Sequence, residues 1–168
     1  MFTIGHSTRT IDELSALLAA HGVRQLADVR TVPRSRRHPH FSAEALALSL
    51  PAAGITYRHF PGLGGLRKPR ANSINTAWRH EGFRGYADYM QTSAFDRAVD
   101  DLVEFAKTGE TAIMCAEAVW WRCHRQLVAD ALVARGVEVR HIMTADSAPP
   151  HALTKFARVA DGRVSYAQ

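Results

Sequence analysis

Short apolar runs alternate with amphipathic segments along most of this chain of 168 residues. The predicted strands are the apolar runs at 2–4, 25–29, 55–60, 111–115 and 137–142. The segments between them carry apolar residues at helical spacing, with capping residues at their starts and glycines at their ends. Such alternation with short connections predicts a mainly parallel β-sheet with helices on both faces. We therefore expect a single α/β domain over residues 1–168.

Helices are predicted after the capping residues Thr10, Ser42 and Ser93, over the short segment 85–90, and from Cys123 to Arg135. Residues 61–85 show no sustained periodicity, and so long a connection is more often functional or mobile than structural. The tail over 143–168 is only weakly patterned.

The charge of the chain favours anionic partners. The formal net charge is +5, and the stretches 31–41 and 64–73 are rich in cations and contain no acid. These stretches suit a phosphorylated small molecule or a nucleic acid, although solvated basic loops are the alternative. No apolar run is long enough to span a membrane, and the N-terminus lacks a signal-peptide pattern. We therefore expect a cytoplasmic protein with reduced cysteines and no membrane partner; the oligomeric state stays open.

Chemically capable side chains follow the predicted strands. His6 and Ser7 follow the first strand, Arg30 follows the second, and the fourth ends at Cys115 with Glu117 close behind. In open parallel sheets, ligands bind beyond the carboxyl ends of the strands. The sequence therefore predicts a site at this edge of the sheet.

Both cysteines of the chain lie in residues 113–125, IMCAEAVWWRCHR. Cys115 is expected near a helix N-terminus and several arginines, which would stabilise a thiolate. This predicts a nucleophilic Cys115, whereas a small buried apolar residue is the alternative. Glu117 would oppose the ionisation of the thiol, and we expect Arg30 to pair with Glu117 and offset that effect.

The remaining roles follow from this hypothesis. His6 or His124 would act as acid or base, with Glu117 orienting one of them. The expected anion-binding residues are Ser7, Arg30, Arg34, Arg84, Arg122 and Arg125. Cys123 is either a resolving thiol for an oxidised Cys115 or an inward-packing residue. The cysteines and His124 lack a paired metal-ligand spacing, and no nucleotide-binding loop is present, so neither a metal nor a cofactor is predicted.

Five motifs, in this order, resemble the bacterial domain of unknown function 488 family. They are GHST (5–8), DVRTVPRSRRHPHF (28–41), GITYRHFPGLGG (54–65), FRGYADYM (83–90) and MCAEAVWWRCHR (114–125). The resemblance extends to about residue 142. It implies that the family signature includes His6, Asp28, Arg30, Cys115, Glu117, Cys123, His124 and Arg125.

A more distant likeness is to rhodanese and cysteine-phosphatase-like domains. In these domains a strand, a cysteine, a loop and a helix bind an anion in the same order of elements. Here the loop 116–121 contains no glycine and carries Trp120 and Trp121, which argues against a tight anion cradle. The likeness therefore implies a fold and no activity.

Two classes of function remain open. The first is a cysteine-centred enzyme that acts on a phosphorylated or nucleic-acid-derived substrate. The second is a non-catalytic accessory module that binds nucleic acid or is associated with DNA repair. In the second, the cations of 34–37 and 67–70 would neutralise phosphates, and Trp120 or Trp121 would stack on an unpaired base.

Overall fold

A five-stranded parallel sheet forms the centre of the molecule in the computed structural model, which describes residues Met1–Gln168. The strands are β1 (Phe2–Gly5), β2 (Gln25–Asp28), β3 (Thr56–His59), β4 (Thr111–Cys115) and β5 (Arg140–His141). Their order across the sheet is β3-β2-β4-β1-β5, and every neighbouring pair is parallel. The predicted α/β fold with a mainly parallel sheet is confirmed.

Helices cover both faces of this sheet. They are α1 (Ile11–Ala20), α2 (Ala43–Ser49), α3 (Glu81–Tyr89), α4 (Ser93–Ala106) and α5 (Arg125–Ala134). Successive residues of a strand point to opposite faces, so Met114 packs with α1 and α2, whereas Ile113 packs with α3, α4 and α5. None of the helices has the length and apolarity needed to cross a bilayer.

Local signals set several of the element boundaries. Thr10 and Glu13 form the predicted capping box, because each side chain accepts a hydrogen bond from the other residue's backbone N–H. Three predicted boundaries are wrong: α3 begins at Glu81 rather than at residue 85, α5 begins at Arg125 rather than at Cys123, and β5 is shorter than 137–142. The segment around Pro150 pairs with β5 on the side away from β1.

The connection between β3 and α3 is fixed by side chains of α3. Tyr86 and Tyr89 donate hydrogen bonds to the carbonyl oxygens of Leu63 and Gly62 at 2.8 and 2.7 Å. The buried carboxylate of Asp88 accepts three more, from Arg70 N, Ser73 Oγ and Asn75 Nδ2. A segment without periodicity of its own is therefore held in place by one helix.

The C-terminal tail forms a hairpin of β6 (Arg158–Ala160) and β7 (Arg163–Ser165). Asp161 and Gly162 form its two-residue turn, with φ values of 50° and 73°. Tyr166, just after the hairpin, is fully buried against the α3–α5 face of the sheet. The weakly patterned tail thus contributes Val164 and Tyr166 to the packed core.

Candidate functional site

A cavity of about 750 Å³ opens where the carboxyl ends of β1, β2 and β4 meet. The predicted site residues that line it are His6, Ser7, Arg30, Arg34, Cys115, Glu117, Arg122, Cys123 and His124. The N–H of His6 donates to the carbonyl oxygen of Cys115 at 2.9 Å, which places these two residues at the same edge. Of the predicted set, Arg84 and Arg125 lie outside the cavity lining.

Cys115 and Cys123, the thiol pair, lie in the floor of this cavity, with their side chains within hydrogen-bonding reach of each other. Cys115 is 3% exposed and Cys123 is 7% exposed. Burial, reinforced by the hydrogen bond to Cys123, raises the pKa of Cys115 well above its ordinary value. This direction is opposite to the predicted activation of Cys115.

Cys123 is the more acidic member of the thiol pair. Its pKa is lowered mainly by the hydrogen bond from the Cys115 thiol, and further by His124 and Arg125. Cys123 also lies just before the first turn of α5, where the positive end of the helix dipole favours negative charge. We therefore place the thiolate on Cys123, with Cys115 as its protonated neighbour.

His124 is held in the orientation of a base for Cys123. Its Nε2 lies 2.9 Å from the carbonyl oxygen of Val29, which can only accept, so Nε2 carries a proton. The other ring nitrogen, Nδ1, lies 3.4 Å from Cys123 Sγ and can take the thiol proton. A Cβ on Gly65 would lie 2.6 Å from Nδ1, so only glycine leaves space for the imidazole there.

Arg125 lies behind the thiol pair and is 1% exposed. Its Nε donates to Cys115 Sγ at 3.0 Å, and its Nη2 donates to the carbonyl oxygen of Glu117 at 2.5 Å. The guanidinium therefore fixes the loop after β4 and places positive charge beneath the thiols. Its predicted role as a direct anion ligand is wrong, because the side chain does not reach the cavity.

The predicted pair between Arg30 and Glu117 is also wrong. Arg30 makes a two-pronged ion pair with the buried carboxylate of Asp28, through Nε at 2.9 Å and Nη2 at 2.6 Å. Arg30 Nη2 also donates to the carbonyl oxygen of Phe41, and Tyr57 donates its hydroxyl to Asp28. Glu117 is exposed, and its carboxylate makes no hydrogen bond or ion pair.

His6 is engaged by its surroundings at both ring nitrogens. Nδ1 donates to the carbonyl oxygen of Ser7 at 2.9 Å, so Nε2 faces Arg30 Nη1, at 3.4 Å, as an acceptor. The ring stacks on Phe41 with centroids 4.1 Å apart. Burial, together with the nearby Arg30, lowers the pKa of His6 to about 4, so the ring is neutral at physiological pH. Of the two histidines predicted as acid or base, His124 is the one that contacts a thiol.

The rim of the cavity is basic. Arg34, Arg37 and Arg122 are exposed there, and Glu117 is the only carboxylate in the lining. The lining residues not singled out from the sequence include Thr31, Ser35, Arg37, His38 and His80. The cationic stretch 31–41 already contained most of them, whereas nothing in the sequence pointed to His80.

The two tryptophans of the loop after β4 differ in their surroundings. Trp120 stacks on His141, with ring centroids 4.1 Å apart and planes only 4° from parallel. Trp121 is 49% exposed. Trp120 therefore anchors the loop to the protein, and Trp121 is the tryptophan that a ligand can reach. No cluster of three or more histidine, cysteine or acidic side chains with metal-binding geometry is present.

Fold and site together define a parallel α/β protein with a buried thiol pair at the open edge of its sheet. A family model described as "Domain of unknown function DUF488" matches residues 10–132, and the chain belongs to this family. Neither the curated proteins nor the solved structures contain a significant match to the chain. The likeness to rhodanese-like domains is not confirmed.

Proposed function

We propose that the protein is a cysteine-centred enzyme that acts on a phosphorylated or nucleic-acid-derived substrate. The observation that carries this proposal is the contact between His124 Nδ1 and Cys123 Sγ, at 3.4 Å, beneath a rim of exposed arginines. A nucleophile, a base oriented by a third group and an anion-binding rim around one cavity are the components of covalent catalysis.

Cys123 is the nucleophile in this proposal, and Cys115 supports it. The Cys123 thiol gives its proton to His124, and the thiolate forms a bond to the electrophilic atom of the substrate. The bond to the leaving group breaks, the leaving group takes the electron pair, and His124 returns the proton to it. Cys115 keeps its own proton, and its thiol lies within reach of both the Cys123 thiolate and the carbonyl oxygen of Glu117, at 3.8 Å from the latter.

The arginine rim supports an anionic substrate. Arg34, Arg37 and Arg122 are exposed in the lining and pair with no carboxylate, so their guanidinium groups are available to a ligand. Arg30 is not counted among these anion-binding residues, because its charge is already neutralised by Asp28 and its side chain is only 8% exposed. Guanidinium groups bind phosphate oxygens through paired N–H donors, which fits a phosphate ester or a nucleic-acid end.

The rate of alkylation by iodoacetamide across a pH series tests this proposal. We expect the wild-type midpoint to lie well below the free-thiol value of about 8.5, and Cys123→Ser to lose the fast reaction. Cys115→Ser keeps the reactive thiol and should retain a fast phase. A wild-type midpoint at or above the free-thiol value would show that both cysteines are structural.

His124→Gln is the matched variant for the base. It should move the midpoint upward, because the replacement leaves Cys123 without a proton acceptor. His21→Gln, just after α1 and outside the cavity lining, serves as the control, and its thiols should titrate like those of the wild type. If both variants match the wild type, His124 is not the base.

A second candidate function, nucleic-acid binding without chemistry, is favoured by the exposed Trp121. Leu66 and Val32 are also exposed, at 80% and 60%, and the cationic stretches 31–41 and 64–73 surround them in sequence. Aromatic and cationic side chains together are the usual surface for single strands. Binding of a labelled single strand should weaken as salt rises and on Trp121→Ala. Binding that is undetectable at low salt, or insensitive to salt, would remove this candidate.

A further inference from the structure

Behind the thiol pair, a row of buried polar side chains leads away from the cavity. Arg125 Nη1 lies 3.3 Å from Thr3 Oγ1, which lies 2.7 Å from His141 Nδ1. His141 Nε2 lies 2.9 Å from His151 Nδ1, and His151 Nε2 lies 2.9 Å from Asp130 Oδ1. All five side chains, the polar row, are buried, and none lines the cavity. The polar row joins the cation beneath the thiols to a buried carboxylate.

The donors and acceptors of the polar row have one consistent direction. The Asp130 carboxylate can only accept, so His151 donates through Nε2. In the forward direction, Nδ1 of His151 then accepts from Nε2–H of His141. His141 accepts at Nδ1 from the hydroxyl of Thr3, and the Thr3 oxygen accepts from Arg125. Every link therefore has one donor and one acceptor.

The reverse direction does not satisfy Thr3. Its oxygen would then lie between two donors, Arg125 Nη1–H and His141 Nδ1–H, and its own hydrogen would have no partner in a fully buried position. Burial, with His151 and Arg125 nearby, lowers the pKa of His141 to about 3, which keeps this ring neutral as the forward direction requires.

Further contacts fix the polar row at its Asp130 end and at His141. Asp130 also accepts hydrogen bonds from the Tyr166 hydroxyl at 2.7 Å and from Thr154 N at 2.9 Å. Trp120, from the loop that follows Cys115, stacks on His141. The polar row therefore ties the C-terminal tail, which lies outside the matched family region, to the loop that carries the site.

We infer that Thr3, His141, His151 and Asp130 are positioning residues for the thiol pair. Arg125 Nη1 donates a hydrogen bond to Thr3 of the polar row. This bond orients the guanidinium so that its Nε donates to Cys115 Sγ. The Cys115 thiol donates to the carbonyl oxygen of Glu117 at 3.8 Å, and the positive charge of Arg125, held beneath both thiols, lowers the pKa of Cys123. The acidity of Cys123 is thus set in part by side chains that never reach the substrate. This inference rests on the proposed function in one respect: it assumes that Cys123, the acidic thiol, is the reactive group.

Other titratable groups also face the thiol pair, and the test must leave them unchanged. They are Tyr86 on α3, His124 and Arg125 on α5, His6 after β1, Arg30 after β2, and Glu117 and Arg122 in the loop after β4. Thr3→Val alters none of these groups and no formal charge. It replaces the hydroxyl with a methyl group of similar size, so it breaks the polar row between Arg125 and His141.

The pH midpoint of Cys123 alkylation is the readout. For Thr3→Val we expect an upward shift of about one pH unit, because the freed Nη1 turns toward the loop carbonyls and draws Nε away from Cys115. Thr3→Ser keeps the hydroxyl and should titrate like the wild type. Tyr166→Phe, which removes a hydrogen bond to Asp130 outside the polar row, should lower the melting temperature without moving the midpoint.

The outcomes separate this inference from the proposed function. A wild-type midpoint at the free-thiol value removes the proposed function, whatever Thr3→Val does. An acidic wild-type midpoint that Thr3→Val leaves unchanged removes the inference alone. An equal shift in Tyr166→Phe would also overturn it, because loss of stability would then account for the effect.

A measurement on the wild-type protein covers the case in which Thr3→Val does not fold. Nitrogen-15 NMR of histidine-labelled full-length protein should show His141 and His151 as neutral rings protonated at Nε2 at neutral pH. A ring protonated at Nδ1, or a charged His141, would contradict the direction of the polar row and overturn the inference.

Discussion

The Nδ1 atom of His124 lies 3.4 Å from the Sγ atom of Cys123, while Nε2 of the same ring is bound to the carbonyl oxygen of Val29. The contact with Val29 fixes the proton on Nε2, so Nδ1 is the nitrogen that is available to accept a proton from the thiol. Cys123 therefore has a base in contact, whereas Cys115 has an arginine that cannot accept a proton.

Gly65→Ala should slow alkylation of Cys123. The added methyl would lie 2.6 Å from His124 Nδ1, so the ring must move away from the thiol. Gly109→Ala is the matched control, because its methyl would come no closer than 3.3 Å to the Gln25 side chain. Alkylation rates at neutral pH measure the effect, with melting curves for both variants. Equal rates for Gly65→Ala and the wild type would show that the His124 contact does not activate Cys123.

Arg30→Ala should lower the free energy of unfolding by about 3–5 kcal/mol, because it strands the buried carboxylate of Asp28. Asp28→Asn in the same chain should recover part of the loss, since no charge then stays unpaired. Glu117→Gln should be neutral alone and should recover nothing. Urea unfolding of the four variants tests this, and recovery by Glu117→Gln in place of Asp28→Asn would contradict the ion pair described above.

Asp88 should make stability depend on pH in the acid range. Burial alone would raise its pKa, but hydrogen bonds from Ser73, Arg70 N and Asn75 lower it below the ordinary value of 3.8. A lowered pKa contributes stability above the ordinary carboxyl value, and this is lost as pH falls through the lower, folded-state pKa. Asp88→Asn should reduce this loss in urea unfolding at acid pH, and the exposed Asp146→Asn should not. Equal pH dependence in Asp88→Asn and the wild type would contradict the assignment.

Hydrogen peroxide should convert the thiol pair to a disulfide. The Cys123 thiolate attacks the peroxide and becomes a sulfenic acid as one oxygen leaves as water; the Cys115 thiol then displaces a second water and closes the disulfide. Intact-mass measurement should show the loss of two hydrogens from the wild type, whereas Cys115→Ser should retain the sulfenic acid. Accumulation of sulfinic acid in the wild type, without a disulfide, would show that Cys115 does not resolve it.

Periodicity was sufficient to predict the sheet and most helices, but it failed where an element is short or unusual in composition. The start of α3 contains Gly82 and Gly85, so its first turns carry little helical signal. The hairpin of the tail did carry a signal, Asp161-Gly162, which is typical of two-residue turns. Its flanking strands are short and mostly exposed, so the apolar alternation that would have identified them is weak.

The position of the site could be predicted, because the carboxyl ends of parallel strands lie at one edge of the sheet. Which side chains of the site contact each other could be predicted only in part. Arg30 lies two residues after Asp28 on an extended chain, so both side chains point to the same side; this rule favours Asp28 over Glu117 as its partner. Which of Cys115 and Cys123 is the more acidic thiol depends on the orientation of the first residues of α5, which brings His124 into contact with Cys123. The polar row from Thr3 to Asp130 joins residues distant in sequence, which no local pattern reveals.

The measurement that tests the central claim most directly is the site of first alkylation in the wild-type chain. The full-length reduced protein is treated with limiting iodoacetamide at about pH 6, where an ordinary thiol is almost fully protonated, and then digested for mass spectrometry. The account predicts that Cys123 is labelled first and faster than free cysteine. Labelling of Cys115 first, or of neither thiol faster than free cysteine, would contradict it.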